Sequence, residues 1–204
     1  MRALVTGASR GIGAALVAEG RDRGHEVVGT TRDRLDVTDA AAQARVAAET
    51  GPLDLLVCNA GVYLDKGVGL GDLTAEMLGA TFAANVTGVA LTVQAQLRNL
   101  SGGGRIAIVA SAMGSQENAP GGAYAYRASK AAAVNLGRNL AADLAPRGIA
   151  VGIYHPGWVR TDMGGDDADV APQDSARGLW DRFEALGPAA SGRFETWDGR
   201  SVPL

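Results

Sequence analysis

The chain reads as an α/β protein on a doubly wound, parallel sheet of about seven strands, forming one domain over residues 1–204. Three observations predict this. Short apolar runs alternate with longer helix-favouring stretches. Most of the runs are continuously apolar, as in strands buried on both faces. A glycine cluster also sits between the first run and the first helical stretch, where this architecture places a ligand.

Taken in order, "RALVT" (2–6) is a short β-leaning run, and "GASRGIG" follows it at once. Residues 11–23 read as a helix, with Ile12, Ala15, Leu16 and Glu19 at helical spacing and Gly24 as its stop. "HEVVGTT" (25–31) is the second strand. "LDV" (35–37) is a candidate third strand, too soon after the second for an ordinary crossover helix. "TDAAAQARVAAET" (38–50) favours helix, and "LDLLVCNAG" (53–61) is a strand running into a turn of small residues. A long helix is expected over 73–100, a fifth strand over 105–111, and a second long helix over about 124–145, ended by "PRG". "IAVGIYH" (149–155) is the sixth strand, broken by "PG"; a helix at about 172–186 and the strand "GRFETW" (192–197) close the chain.

The 19 basic and 22 acidic residues nearly cancel, so charge gives no reason to expect nucleic acid or an anionic membrane as partner. No run approaches the ~20 apolar residues of a spanning helix, and no signal peptide is evident. A single cysteine, Cys58, excludes an internal disulfide and suits a reducing compartment, so a cytoplasmic protein is expected. His25 and His155 have no partners at metal-ligand spacing, and no metal is expected.

Gly7, Gly11 and Gly13 lie where backbone must approach a ligand closely, and the N–H groups of the following helix face an anion there. A tight turn with no ligand is the plainer reading of those glycines, but their place between strand and helix is the context a phosphate loop requires. In "YRASK" (126–130), Tyr126 and Lys130 stand four apart and so share one helix face. A tyrosine of pKa about 10 exchanges protons reluctantly near neutrality, and a neighbouring cation is expected to lower that value. Tyr124 has no such partner, because position 128 is alanine.

These segments together resemble the short-chain dehydrogenase/reductase family. "TGASRGIG" (6–13) resembles its cofactor loop and "CNAG" (58–61) its NNAG turn, with Cys58 in place of the first asparagine. "NVTG" (85–88) falls where the family keeps an asparagine, and "HPGWVRTDM" (155–163) is similar to its nicotinamide-side segment. Ser111, Tyr126 and Lys130 occupy the places of the catalytic serine, tyrosine and lysine. The short length and the C-terminal "GRFETWDG" resemble the small C-factor-like and sniffer-like carbonyl reductases.

The resemblance implies hydride transfer between NADPH and a small carbonyl or alcohol, with Tyr126 as general acid, Ser111 on the substrate oxygen, Lys130 on the nicotinamide ribose, and Asn85 holding a relay water. Gly7, Ser9, Arg10, Gly11, Ile12 and Gly13 would hold the phosphates; Asn59, Ala60 and Gly61 would flank the cofactor; Pro156, Gly157, Val159 and Thr161 would meet the nicotinamide, with Trp158 and Met163 either on the substrate side or in lid packing. NADP is favoured over NAD because Thr30 and Thr31 stand where an NAD enzyme places an acid, and Arg32 follows. Asp33, 20 residues past Gly13, is the rival ribose ligand; Asp36 and Val37 would border the adenine. A homodimer or homotetramer is the family's habit. The alternative is a dinucleotide-binding signalling or regulatory protein without turnover.

Overall fold

The computed structural model describes residues 1–204 and contains one parallel sheet of six strands with helices on both faces. The strands are β1 (Arg2–Thr6), β2 (Glu26–Thr30), β3 (Leu53–Cys58), β4 (Leu100–Val109), β5 (Ala150–His155) and β6 (Phe194–Thr196). Their spatial order is β2-β1-β3-β4-β5-β6, and every neighbouring pair is parallel. The helices are α1 (Gly11–Asp22), α2 (Ala40–Thr50), α3 (Ala75–Phe82), α4 (Gly88–Gln96), α5 (Tyr124–Leu144) and α6 (Pro172–Ala185).

The strand count corrects the expectation of seven, because residues 35–37 form no strand. A parallel neighbour needs a crossover of about a dozen residues, and only residues 31–34 separate Leu35 from the end of β2. The chain instead turns back on itself, with the Arg34 and Leu35 N–H groups both donating to the Thr31 carbonyl. Leu35 and Val37 are still buried, packed on Ala42 and Val46 of α2, so their apolar character serves a loop seated on a helix.

Alternate residues along each strand supply the two halves of the core, as the pleat requires. Ala3, Val5, Leu55, Val57, Ala107 and Val109 face α1 and α6, against Leu16, Leu179, Trp180 and Phe183. Leu4, Leu56, Cys58, Ile106, Ile108 and Val151 face the other way, against Val89 and Val93 of α4 and Ala141 and Leu144 of α5. Cys58 is thus a core residue, and burial pushes its thiol up to about 12, which leaves it unreactive.

The helix expected over 73–100 runs from Ala75 to Gln96 and is interrupted by a π-helical turn at Ala83–Thr87. Leu100 and "SGGG" belong to β4, whose pairing with β3 carries an irregularity between Leu53 and Leu55. By length and composition this one helix is apolar enough to cross a bilayer. Here two of its buried polar side chains bond to neighbouring helices: Gln43 of α2 donates to Thr92 at 2.7 Å, and Asn85 donates to Ser129 of α5 at 3.0 Å. The π turn is what places Asn85, only 1% exposed, against α5.

Candidate active site

The C-terminal ends of β1, β3, β4 and β5 open on one edge of the sheet, and nearly every residue singled out in the sequence lies there. At the end of β1 the Thr6 hydroxyl accepts from the N–H groups of both Asn59 and Ala60 at 3.1 Å. The Asn59 side chain donates back to the carbonyls of Thr6 (2.9 Å) and Gly7 (3.2 Å). Such bonding fastens the glycine loop to the "CNAG" turn. It also explains two of the glycines: Gly7 has φ +70 with Ala60 Cα 2.7 Å from any Cβ, and a Cβ on Gly13 would stand 2.2 Å from the Gly7 carbonyl.

No side chain caps α1, so the N–H groups of its first turn, at Gly11 and Ile12, remain open to an acceptor. Ser9 and Arg10 are exposed at the loop tip. Arg10 is ion-paired with Asp162, and Gly11 approaches Thr161, so this loop closes toward the chain that follows β5. There Pro156 and Val159 are buried, Gly157 is half-buried, and the Thr161 hydroxyl accepts from the Gly164 N–H at 3.1 Å. Trp158 and Met163 are both exposed, and Lys66 donates across to the Met163 carbonyl at 2.9 Å.

Arg32 and Asp36 stand beyond the end of β2, paired with each other at 3.1 Å. The Asp36 carboxylate is held below its ordinary range, first by the Thr38 hydroxyl and N–H and then by Arg32. Arg32 itself is 86% exposed, free to turn toward a ligand, and Val37 is buried beside it.

Ser111 follows β4, and α5 lies over it. The side chains of Tyr126 and Lys130 project from one face of that helix, and the Lys130 ammonium sits 5.6 Å from the Tyr126 ring centroid. Lys130 Nζ donates to the Val109 carbonyl at 3.0 Å, two residues before Ser111. Three side chains therefore converge: Ser111, Tyr126 and Lys130 are all buried within one corner of the crevice. Asn85 completes the group. Its Oδ1 accepts from the Val62 N–H at 2.8 Å, and its Nδ2 donates to the Val62 carbonyl at 2.9 Å. A Cβ on Gly61 would lie 2.9 Å from Asn85 Oδ1 and 3.6 Å from Lys130 Nζ, so the missing side chain keeps a gap between the two.

The electrostatics differ from the sequence expectation. Burial pushes the Tyr126 phenol up to about 12, with the Ser111 hydroxyl beside it pulling the other way and Tyr63 adding to the rise. Burial also lowers Lys130 to about 8. Desolvation thus dominates at the phenol, and a protonated tyrosine is the resting form at neutral pH. His155, at the end of β5, is held at about 4 by burial and is neutral.

Three neighbours of the site carried no signal in the sequence. Tyr63 stacks on Tyr126, centroids 4.3 Å apart and planes at 20°. Asp65 is 1% exposed and accepts from the N–H groups at the start of α5. Asp162 is the partner of Arg10. Contacts made 60 to 150 positions away along a chain follow from the fold, and no local pattern encodes them.

A family model described as short chain dehydrogenase matches residues 33–170. The chain is 44% identical over 157 residues to the C-signal protein of Myxococcus xanthus, covering 76% of this chain and 94% of that one. Among solved structures, a short-chain dehydrogenase/reductase from Burkholderia multivorans with bound NADP superposes with a TM-score of 0.93 at 31% identity, covering 100% of this chain and 99% of that one. An NADPH-bound carbonyl reductase from chicken fatty liver superposes with a TM-score of 0.86 at 27% identity, covering 100% and 98%.

Proposed function

Because the chain belongs to the short chain dehydrogenase family, we propose that it is an NADPH-dependent reductase of a small carbonyl compound, working through Ser111, Tyr126 and Lys130. The observation that carries this reading is the convergence of those three buried side chains on the sheet edge at which α1 also begins, uncapped.

The residues present fit a dinucleotide. The open N–H groups of α1 suit its phosphates, and the glycine loop leaves no side chain in their way. Arg10 and Arg32 are the cations for a 2′-phosphate, which would draw them from Asp162 and Asp36. Asp36 and Val37 would border the adenine; Asn59, Ala60 and Gly61 would flank the ribose; Lys130 would hold its nicotinamide-side hydroxyls; and Pro156, Gly157, Val159 and Thr161 would bound the nicotinamide. NADP-bound relatives of the same fold support this choice over NAD.

Bound NADPH supplies the hydride. The chain's own part is to receive the oxygen that becomes negative. Ser111 donates a hydrogen bond to that oxygen, and Tyr126 delivers its proton to it. Burial raises the phenol to about 12 and so keeps the proton on Tyr126 at neutral pH until the substrate oxygen becomes negative enough to take it. Resupply of the proton is assigned to the gap between Lys130 and Asn85 that Gly61 leaves open, which suits the expected relay water.

Loss of NADPH absorbance across a panel of aldehydes and ketones tests the reading. Turnover with any class supports it, and inactivity throughout, with the dinucleotide still bound, favours a second reading: a dinucleotide-binding signalling protein without turnover. What favours that second reading is the 44% identity to a protein named C-signal.

Cofactor choice gives a separate prediction. Arg32→Ala should weaken NADPH binding by about tenfold, or ~1.4 kcal/mol, a modest figure because the guanidinium is exposed. NADH binding should hardly move. Fluorescence titration of both dinucleotides checks this, and an equal loss for the two would remove Arg32 from the 2′-phosphate site.

A further inference from the structure

The catalytic-tyrosine helix has no cap of its own. α5 starts after Ala123, which sits at φ +49 and lends no side-chain oxygen to the first turn. Its donors are met from elsewhere. Asp65, in the loop between β3 and α3, accepts from the Ala125 N–H at 2.7 Å through Oδ2 and from the Tyr126 N–H at 3.2 Å through Oδ1. The carboxylate is 1% exposed, and a group of that kind is tolerated in the interior only where it is bonded. Here the two amides and the positive end of a 21-residue helix satisfy it.

The same loop holds two other parts of the site. Val62 takes both polar ends of the Asn85 amide, and Tyr63 lies flat on the Tyr126 ring. Residues 62–65 thus form a strap touching Asn85, the Tyr126 ring and the Tyr126 backbone in succession. Of these contacts only Asp65 holds the peptide from which the Tyr126 side chain springs. An ordinary N-cap belongs to the helix it caps; this one comes from 60 residues away, in the loop that also touches Asn85 and the Tyr126 ring.

We propose that Asp65 is a positioning residue for Tyr126, fixing the first turn of α5 so that the phenol stands at the distance proton delivery requires. The inference rests on the catalytic reading of Tyr126 given above. Transfer is steep in distance, and a displacement of about 1 Å in a reacting group can cost about a hundredfold in rate.

The test compares wild type with Asp65→Ala and Asp65→Asn in the full chain. Asp65→Ala should lower kcat by between about tenfold and a hundredfold, with the carbonyl KM and NADPH affinity nearly unchanged. Asp65→Asn keeps one acceptor and the side-chain shape, so its kcat should lie between the other two. Amide hydrogen exchange should quicken at Ala125 and Tyr126 in both variants and stay unchanged near Gly137, in the middle of α5. Unaltered kcat in well-folded variants would overturn the proposal, as would a fall in activity that only tracks the folded fraction or unaltered exchange at the two amides. The exchange measurement needs no turnover. An inactive wild type would therefore remove the catalytic reading of the site, and exchange at Ala125 and Tyr126 would then decide the role of Asp65 as the anchor of that turn.

Discussion

Tyr126→Phe should lower kcat by roughly a thousandfold, within the range measured for loss of a positioned acid. NADPH affinity and melting temperature should stay close to wild type. The change removes one oxygen from a side chain that is 8% exposed and stacked on Tyr63, and a phenylalanine keeps that stack. Since the phenol's contribution lies in the proton it gives and not in the volume it fills, the loss belongs to turnover. Steady-state kinetics beside a fluorescence titration of NADPH separate the two quantities. Retained turnover would show that another group delivers the proton, and equal losses in kcat and cofactor affinity would point to a collapsed site.

Lys130→Met should act in opposite directions on stability and activity. Burial lowers the Lys130 pKa from 10.5 to about 8, so the unfolded chain binds that proton more tightly than the folded one. Below pH 8 the ammonium is charged in both states and folding bears the whole penalty, about 3 kcal/mol. The penalty fades as pH rises from about 8 to about 10.5, where the unfolded lysine also loses its proton. A methionine of similar length removes the charge but also the ammonium's bond to the Val109 carbonyl, worth about 2 kcal/mol for a charged donor. The net expectation at pH 7 is a gain of about 1 kcal/mol, a few degrees in melting temperature for a chain of this size. That gain should shrink steadily through the alkaline range. Turnover should collapse at the same time, because the lysine's assigned partners are the cofactor ribose and the proton relay. A group that weakens the fold and supports the chemistry fits a functional role better than a structural one. Melting curves of both proteins from pH 7 upward check the sign, and a destabilised variant at neutral pH would contradict it.

How legible each feature was in the sequence follows from the physics behind it. Continuous apolar runs revealed β1, β2, β3 and β5 nearly to the residue, because a strand buried on both faces has nowhere to place a polar side chain. "LDV" carried the same signal without the same structure: burial of Leu35 and Val37 is compatible with a loop on α2, and the missing crossover decided the matter. The helix over 75–96 was visible as a helix, but its π turn was not, since a one-residue widening leaves the apolar spacing almost intact. The i, i+4 pair of Tyr126 and Lys130 was legible because both contacts are local. Their titration was not: burial by the surrounding loops sets it, and it reversed the expected direction for the phenol. Asp65 was hidden for the same reason, since a single acid four residues past "CNAG" looks like any loop carboxylate until the fold brings α5 onto it.

A crystal structure of the chain with NADP bound is the most direct measurement. The account predicts the 2′-phosphate among Arg10 and Arg32, the pyrophosphate against the start of α1, and the nicotinamide ring in the corner bounded by Ser111, Tyr126 and Lys130. A dinucleotide seated elsewhere, or a nicotinamide turned away from the Tyr126 hydroxyl, would contradict it.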